Sequence, residues 1–548
     1  MDGGSKEMQY LLGIDLGTSS VRSILIDTDG NILGLAGEEY PILIPKPDYA
    51  EQDPGAWWDA TKRTIGRVLA KSGIDPRNIK GIGLSGQMHG TVFVDEAGHP
   101  LRPAIIWPDK RSARECRELN ERVGVERLYE IAGLPTATGF MAPSVFWVKR
   151  NEPDVTRRAS KVLLPKDYIR LKLTGKMATD VTDATGTLFL DITKRAWSAE
   201  VMAAVGVAPD ILPDLLEASD VAGEVTPQAA GETGLASGTP VIAGGADQAM
   251  GAIGSGVVRD GIAASTIGTG GQLITCISRP ILDPKRRVHT LCHAVPGKWI
   301  LMGAMLAAGL SLRWFRDNLG QLEKLSGGFS GADPYEIVSR EAEKVPAGSD
   351  GLVFLPYLSG ERTPHMDPRA RGVFIGLTLQ HGRGHMIRAI MEGVSFAMRE
   401  SLDIFKELGV SVDTMLCSGG GARSPVWRQI QADIYEMPVI TVSNEEHSSY
   451  GCALLAGVGV GIYRDVDEAC RGRVRYTGMT QPQTQSREAC PGDRLFGAFG
   501  AGEAGGDRAG NNEAGEANAE VAGRYRMLFE VYKSLYPRLK DVFHKLGS

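Results

Sequence analysis

Several features are scarce or missing in this chain. Its seven cysteines (Cys116, Cys276, Cys292, Cys417, Cys452, Cys470 and Cys490) form no C-x-x-C pair. That spacing excludes a disulfide scaffold and a structural zinc site, and reduced thiols in a cytoplasmic protein are expected. There is no basic excess, the net charge being -6, which argues against nucleic acid as a partner. The longest weakly polar run, "YGCALLAGVGVGIY", falls short of the ~20 residues that a bilayer-spanning helix needs. The opening "MDGGSKEMQY" has no basic region followed by an apolar one, so no secretory signal is expected. No G-x-x-x-x-G-K-[ST] occurs, since "TGKM" and "PGKW" both fail, and a P-loop is out. "GIGLSG" at 81–86 matches G-x-G-x-x-G, but "QMHGTVFVD" follows as turn and strand where a dinucleotide fold needs a helix.

What is present is an ordinary globular composition, 43% apolar and 23% charged, over 548 residues. That length is too great for one core and implies two domains. "YLLGIDLG", "VRSILIDTDG" and "NILGLAGEEY" read as strands, with a hairpin turn at Asp29-Gly30. "PGAWWDATKRTIGRVLAKSG" reads as a helix with Trp57, Thr61, Ile65 and Leu69 on one face. The strand–turn–strand plan of "YLLGIDLGTSSVRSILI" returns in "GIAASTIGTGGQLITCI" without the acidic residue. Such an echo suggests two related halves facing a cleft, divided near residue 255.

Four stretches carry candidate chemistry. Asp15 stands in an otherwise apolar strand, where a carboxylate must be neutralised, paired or facing a cation. Gly17, Thr18, Ser19 and Ser20 follow it as small hydrogen-bond donors, a combination that suggests phosphate and metal. In "TPVIAGGADQAMG" a strand runs into Gly244-Gly245, with Asp247 where a helix should begin. It is either a helix cap or a carboxylate ready to accept a hydroxyl proton. In "MLCSGGGARSPVWRQIQADI" three glycines allow close backbone approach to a ligand or make a tight turn, and Ser424-Pro425 reads as a cap and first helical residue. Gln87, His89, Trp107, Asp109 and Arg111 combine donors, acceptors and a flat ring, the mixture a polyol needs.

Together these pieces resemble the FGGY family of carbohydrate kinases. The resemblance rests on "GIDLGTSSV", "EQDPGAWWDAT", "GLSGQMHG", "RPAIIWPD", "VLLPKDYIRLKLTG", "FLPYLSGERTPHMDP", "GVFIGLTLQHGRGHMIRAIMEGV" and "GGGARSPVWRQIQADI", in that family's motif set from about residue 10 to residue 480. "SGQMHG" points to the members that phosphorylate D-xylulose. The resemblance implies an α/β fold of two actin-like ATPase (ribonuclease H-like) domains flanking a catalytic cleft. It implies a sugar-binding domain at 1–254 and a nucleotide-binding domain at 255–484. A flexible insertion is expected at 485–521, and a C-terminal helix at 522–548 docking through Leu528, Val531 and Leu535.

By position, Asp15 would face Mg2+, and Gly17, Thr18 and Ser19 would line the phosphates of ATP. Gly268, Thr269 and Gly270 would meet the phosphates from the second domain, and Gly420, Gly421 and Ala422 the adenosine. Asp247 would be the catalytic base, its pKa expected to be depressed at a helix start. Gln87, Met88, His89, Trp107, Asp247 and Gln248 would hold the sugar. Ser144 and Met141 depart from the family's amino-terminal signature. Gln248 replaces an asparagine, and Tyr450 and Cys452 point to an altered adenosine pocket. The expected reaction is phosphoryl transfer from ATP to D-xylulose, with sugar and ATP as partners, no membrane, and a homodimer left open. L-Ribulose, L-xylulose or a sugar alcohol as acceptor, or an actin-like ATPase that is not a kinase, are the alternatives.

Overall fold

A computed structural model describes residues 8–320, 333–483 and 513–546. It divides into two compact units: Met1–Arg259 with Ile277–Ile300 and Glu446–Val474, and Asp260–Cys276 with Leu301–Glu445 and Arg475–Ser548. The chain thus leaves and re-enters each unit, where the sequence suggested a single division near residue 255.

In the first unit, β1 (Tyr10–Leu16) and β2 (Ser20–Asp27) form an antiparallel hairpin with Asp15 opposite Arg22. β3 (Ile32–Glu39) joins β2 across the Asp29-Gly30 turn, where Gly30 takes a φ of 82°. Helix α1 (Pro54–Ser72) starts at Asp53, whose side chain accepts from Gly55 N, and buries Trp57, Thr61 and Ile65. The next strand, β4 (Ile79–Gly86), pairs in parallel with β1 and sets Ser85 opposite Asp15. Helix α2 (Pro165–Thr174), strand β5 (Pro240–Ile242) and helix α3 (Asp247–Ser255) complete the frame. The sheet order is β3–β2–β1–β4–β5. Leu12, Ile14, Leu25, Ile65, Ile82 and Leu84 lie in one core under it.

The late helix His447–Gly459 also belongs to this unit. It approaches the sheet at backbone distance: a Cβ on Gly13 would stand 1.9 Å from Ser449 O, and one on Gly83 2.1 Å from Cys452 O. No other residue fits at either strand position.

The second unit repeats the plan. β6 (Gly261–Ile267) and β7 (Gly271–Ile277) form the second hairpin. β8 (Trp299–Met305) lies beyond β7, and helices α4 (Gly309–Leu319), α5 (Pro334–Glu343) and α6 (Arg383–Glu407) follow. β9 (Val412–Gly419) pairs in parallel with β6, and α7 (Pro425–Tyr435) leads to β10 (Val439–Val442) and β11 (Tyr476–Thr480). The order β8–β7–β6–β9–β10–β11 matches that of the first unit, whose sheet continues beyond β5 to the antiparallel strand Val221–Glu224 as this one continues beyond β10 to β11. The sequence echo is therefore the central hairpin of each sheet.

The C-terminal helix runs Glu513–Leu546, so the last nine residues of the expected insertion are helical, and the rest, with Cys490, lies outside the described residues. Leu528 and Leu535 are buried as expected, but Val531 is 39% exposed; Tyr525, Phe529 and Tyr532 fill the remaining buried face. Among the described residues no helix is long and apolar enough to cross a membrane. The six described cysteines are all buried.

Candidate active site

In the first unit, Asp15 closes β1 and Asp247 opens α3. Asp15 Oδ1 is buried with no hydrogen-bond partner among the described residues. Burial pushes its carboxyl up to about 6; the Ser85 hydroxyl and Arg22 pull it down, and Glu446 adds to the rise. Asp247 is raised further, to about 7, first by burial and then by the negative charge of Asp15, against the backbone and side-chain hydrogen bonds of Gln248.

The depressed pKa expected of a helix-start aspartate is thus overturned. A helix terminus favours an anion by at most ~2 kcal/mol, whereas desolvation beside a like charge moves a carboxylate by several pKa units. The capping reading falls as well. Ala246 occupies the cap, Asp247 is the first helical residue, and its Oδ1 accepts only the neighbouring Gln248 N–H at 2.7 Å. Ser448 Oγ donates to the Asp247 carbonyl at 3.1 Å, fixing the start of α3.

The Gly17–Ser19 turn is held from three sides. Tyr40 OH donates to Gly17 O, Gln52 Nε2 to Thr18 O at 2.7 Å, and Trp107 Nε1 to the Thr18 hydroxyl at 2.8 Å. Trp107, 43% exposed, therefore ties the Gly17–Ser19 turn to the stretch read from sequence as a sugar face. Gln52 is a hub that sequence reading missed: its Oε1 accepts from Gln87 Nε2 at 2.8 Å and from Trp57 Nε1 at 3.2 Å. Gln87, 1% exposed, supports Gln52 from inside. Gln52→Leu would leave these buried donors unpaired. It is expected to lower stability by roughly 2–4 kcal/mol and to raise the KM for ATP; denaturant titration and initial-rate kinetics check both.

Met88 is buried, and His89 holds a φ of 74°, a left-handed conformation uncommon for a side-chain-bearing residue. His89 stacks on Phe140 with ring centroids 3.8 Å apart, and its Nδ1 meets Gly186 O at 2.6 Å. Asp109 and Arg111, read from sequence as polyol contacts, are engaged in the framework. Asp109 Oδ2 accepts from Ala50 N at 2.7 Å, and Arg111 pairs with Asp109 and Glu51, each at 2.7 Å. Ser144 and Met141 are buried on the helix Met141–Asn151.

The second unit holds a cavity of about 810 Å³ lined by Gly268, Thr269, Arg313, Tyr335, Gly420 and Gly421, among others. The β6–β7 turn is braced by α4, since Gly309 N donates to Gly268 O at 2.8 Å and Leu310 N to Thr269 O at 3.0 Å. At the end of β9, Gly419 has a φ of 76°, and a Cβ on Gly421 would stand 2.7 Å from Ile267 Cβ. Ser424 caps α7, accepting from Trp427 N, with Pro425 at its first turn, as the sequence suggested. Gly270 and Ala422 do not line this cavity. Tyr450 and Cys452 do not either: Tyr450 OH donates to Gly30 O and Arg473 O, both at 2.9 Å, and Cys452 is buried against β4. Their departure from the family pattern is thus a packing matter of the first unit, and the expected change in the adenosine pocket does not follow.

Comparison with known proteins agrees with this arrangement. Residues 10–254 match the N-terminal domain, and residues 263–460 the C-terminal domain, of the FGGY family of carbohydrate kinases. The chain is 36% identical to the xylulose kinase of Bacillus subtilis over 99% of both chains. It is 40% identical to that of Escherichia coli over 77% of this chain and 84% of that protein. The crystal structure of xylulose kinase from Rhodospirillum rubrum superposes with a TM-score of 0.84 at 30% identity, covering 98% of this chain and all of that one.

Proposed function

We propose that this chain, which belongs to the FGGY family of carbohydrate kinases, transfers the γ-phosphoryl group of ATP to D-xylulose, giving D-xylulose 5-phosphate and ADP. The observation that carries the chemistry is Asp247, a half-buried carboxylate whose pKa is raised to about 7 by desolvation and by Asp15. A base poised near neutrality can take a hydroxyl proton and still be regenerated. The extensive identity with xylulose kinases supports the choice of sugar.

Asp247 orients the attacking hydroxyl and accepts its proton late, because phosphoryl transfer is loose and rests on positioning and charge neutralisation. His89, Met88, Trp107 and Gln248 hold the sugar. The Gly17–Ser19 turn holds phosphate, and the cavity lined by Gly268, Thr269, Gly420 and Gly421 takes the nucleotide. Among the described residues no cluster of three or more His, Cys, Asp or Glu could hold a metal alone. The orphaned Asp15 Oδ1 fits Mg2+, which binds through one or two carboxylates and substrate phosphates. When bound, that ion neutralises polyphosphate charge.

ADP release measured over D-xylulose, L-xylulose, L-ribulose and sugar alcohols tests the proposal. D-Xylulose is expected to give the highest kcat/KM. A higher value for another acceptor replaces the substrate, and ATP hydrolysis indifferent to every sugar removes the kinase reading.

A further inference from the structure

Behind Asp247 lies a group of charges that the chemistry above does not use. Lys166, Asp167 and Arg170 on α2, and Asp180 and Asp183 on the segment after it, are all fully buried. Lys166 Nζ lies 2.6 Å from Asp167 Oδ1, 2.9 Å from Asp180 Oδ1 and 3.6 Å from Asp183 Oδ2, and Arg170 Nη2 lies 3.0 Å from Asp167 Oδ1. Three carboxylates thus face two cations out of water. Such a cluster is weak evidence for stability, since apolar residues of the same volume often do as well; what it does supply is fixed geometry.

That geometry converges on the loop before Asp247. Arg170 Nη1 donates to Ala243 O at 2.7 Å. Asp180 Oδ2 accepts from Thr182 N at 2.7 Å and from the Thr182 hydroxyl at 2.5 Å, and that hydroxyl accepts Ala246 N–H at 2.9 Å. The segment Ala243–Ala246, whose Gly245 and Ala246 also pair with Ser85 and Gly86 of β4, is therefore gripped at both ends, and α3 starts at the next residue. Between the grips, Gly244 has a φ of 74°, and a Cβ on Gly245 would stand 2.7 Å from the Thr182 hydroxyl. The segment that carries Asp180, Thr182 and Asp183 ends at Gly186, whose carbonyl meets His89 Nδ1 at 2.6 Å. One strap thus reaches both the base and a residue assigned to the sugar.

We propose that Lys166 is a positioning residue for the base Asp247, acting through Asp180 and Thr182 on the Ala246 amide. This inference rests on the function proposed above. By holding the Asp180 carboxylate, Lys166 fixes which way the Thr182 hydroxyl points: its proton toward Asp180, its lone pair toward Ala246. Without the ammonium group that carboxylate keeps only its Thr182 contacts, and the Ala246 amide, one residue before α3, is held less firmly. Burial, with the charges of Asp167, Asp180 and Asp247, pushes the Asp183 carboxyl well above the usual carboxylate range against the pull of Lys166.

The test is Thr182→Val, which keeps the shape and removes the hydroxyl, beside Thr182→Ser and Lys166→Met. Thr182→Val is expected to lower kcat on D-xylulose roughly 100-fold, the loss a misplacement of about 1 Å brings, with the KM for ATP unchanged. Thr182→Ser is expected to regain most of that loss, and Lys166→Met, if it folds, to follow Thr182→Val. The inference is overturned by Thr182→Val retaining half the wild-type kcat or more, or by Thr182→Ser falling as far as Thr182→Val. It is overturned too by a loss in which the KM for ATP rises along with the fall in kcat. Wild-type protein that turns over none of the sugars removes the function itself; wild-type turnover with an active Thr182→Val removes only this inference.

Discussion

Asp247→Asn will abolish sugar-dependent ADP release, by roughly 1,000-fold or more, while ATP still binds and the ligand-free protein at pH 8 becomes harder to unfold. The two halves of this expectation share one cause. Asparagine keeps the shape and the contact with Gln248 but cannot take a proton, so the chemical step loses its acceptor. The same carboxylate is costly to the fold. Its pKa is raised from 3.8 to about 7 in the folded state. The folded state therefore binds more protons than the unfolded chain between those values, and stability falls as pH rises through that window. At pH 8 the wild type carries the full penalty of a buried charge beside Asp15, and the variant does not. The gain in melting temperature should shrink toward zero as pH approaches 4. A variant that keeps a tenth of the wild-type rate would remove Asp247 from the base role. One that is inactive but gains no more stability over the wild type at pH 8 than at pH 4 would contradict the buried-charge argument.

Asp15→Asn will lower kcat/KM by roughly 100-fold or more, the scale lost when one preorganised charge contact to a reacting phosphoryl group is removed. It should also raise the magnesium concentration needed for half-maximal turnover. A second signature is independent of the size of that loss. In the wild type, kcat/KM should climb as pH passes through about 7, where Asp247 becomes ionised, and level off above it. The charge of Asp15 is one reason that value is high. With Asp15 made neutral, Asp247 ionises more readily, and the acid limb of the residual activity should move to lower pH. A limb that stays in place while the rate falls would mean that the two side chains do not sense each other.

Much of this site was legible in the sequence because it is local. A carboxylate in the apolar run "LLGIDLG" signals its own oddity, and the strand–turn–strand echo at "GIAASTIGTGGQLITCI" needs no tertiary information. The cap at Ser424 and the turn at Gly30 follow from short-range geometry and appear as read. What sequence could not convey is burial. The pKa of Asp247 was misjudged because a helix-start rule is local, whereas desolvation and the charge of Asp15 come from residues far along the chain. Lys166, Asp167 and Arg170 sit in the quoted stretch "VLLPKDYIRLKLTG", where charge at helical spacing looks like a solvated face; all three are buried. Gln52 has no signal of its own, since a glutamine before "DPGAWWDAT" becomes a hub only when Gln87, Trp57 and the Thr18 carbonyl converge on it. Val531 was placed inward on a regular repeat, but the buried face of that helix is set by Tyr525, Phe529 and Tyr532.

The return of His447–Gly459 to the first unit bears on how the two halves of the gene can be handled. That helix lies on β1 and β4 where Gly13 and Gly83 carry nothing larger than hydrogen, and Ala453, Leu454, Leu455 and Ala456 are all fully buried. A truncated clone stopping at residue 259 would encode the strands but omit the cover that shields one flank from water, and apolar side chains such as Leu11 would face solvent there. Any exchange of the first unit between relatives must accordingly carry the distal segment along, stitched in through a linker, or accept a half-dressed sheet.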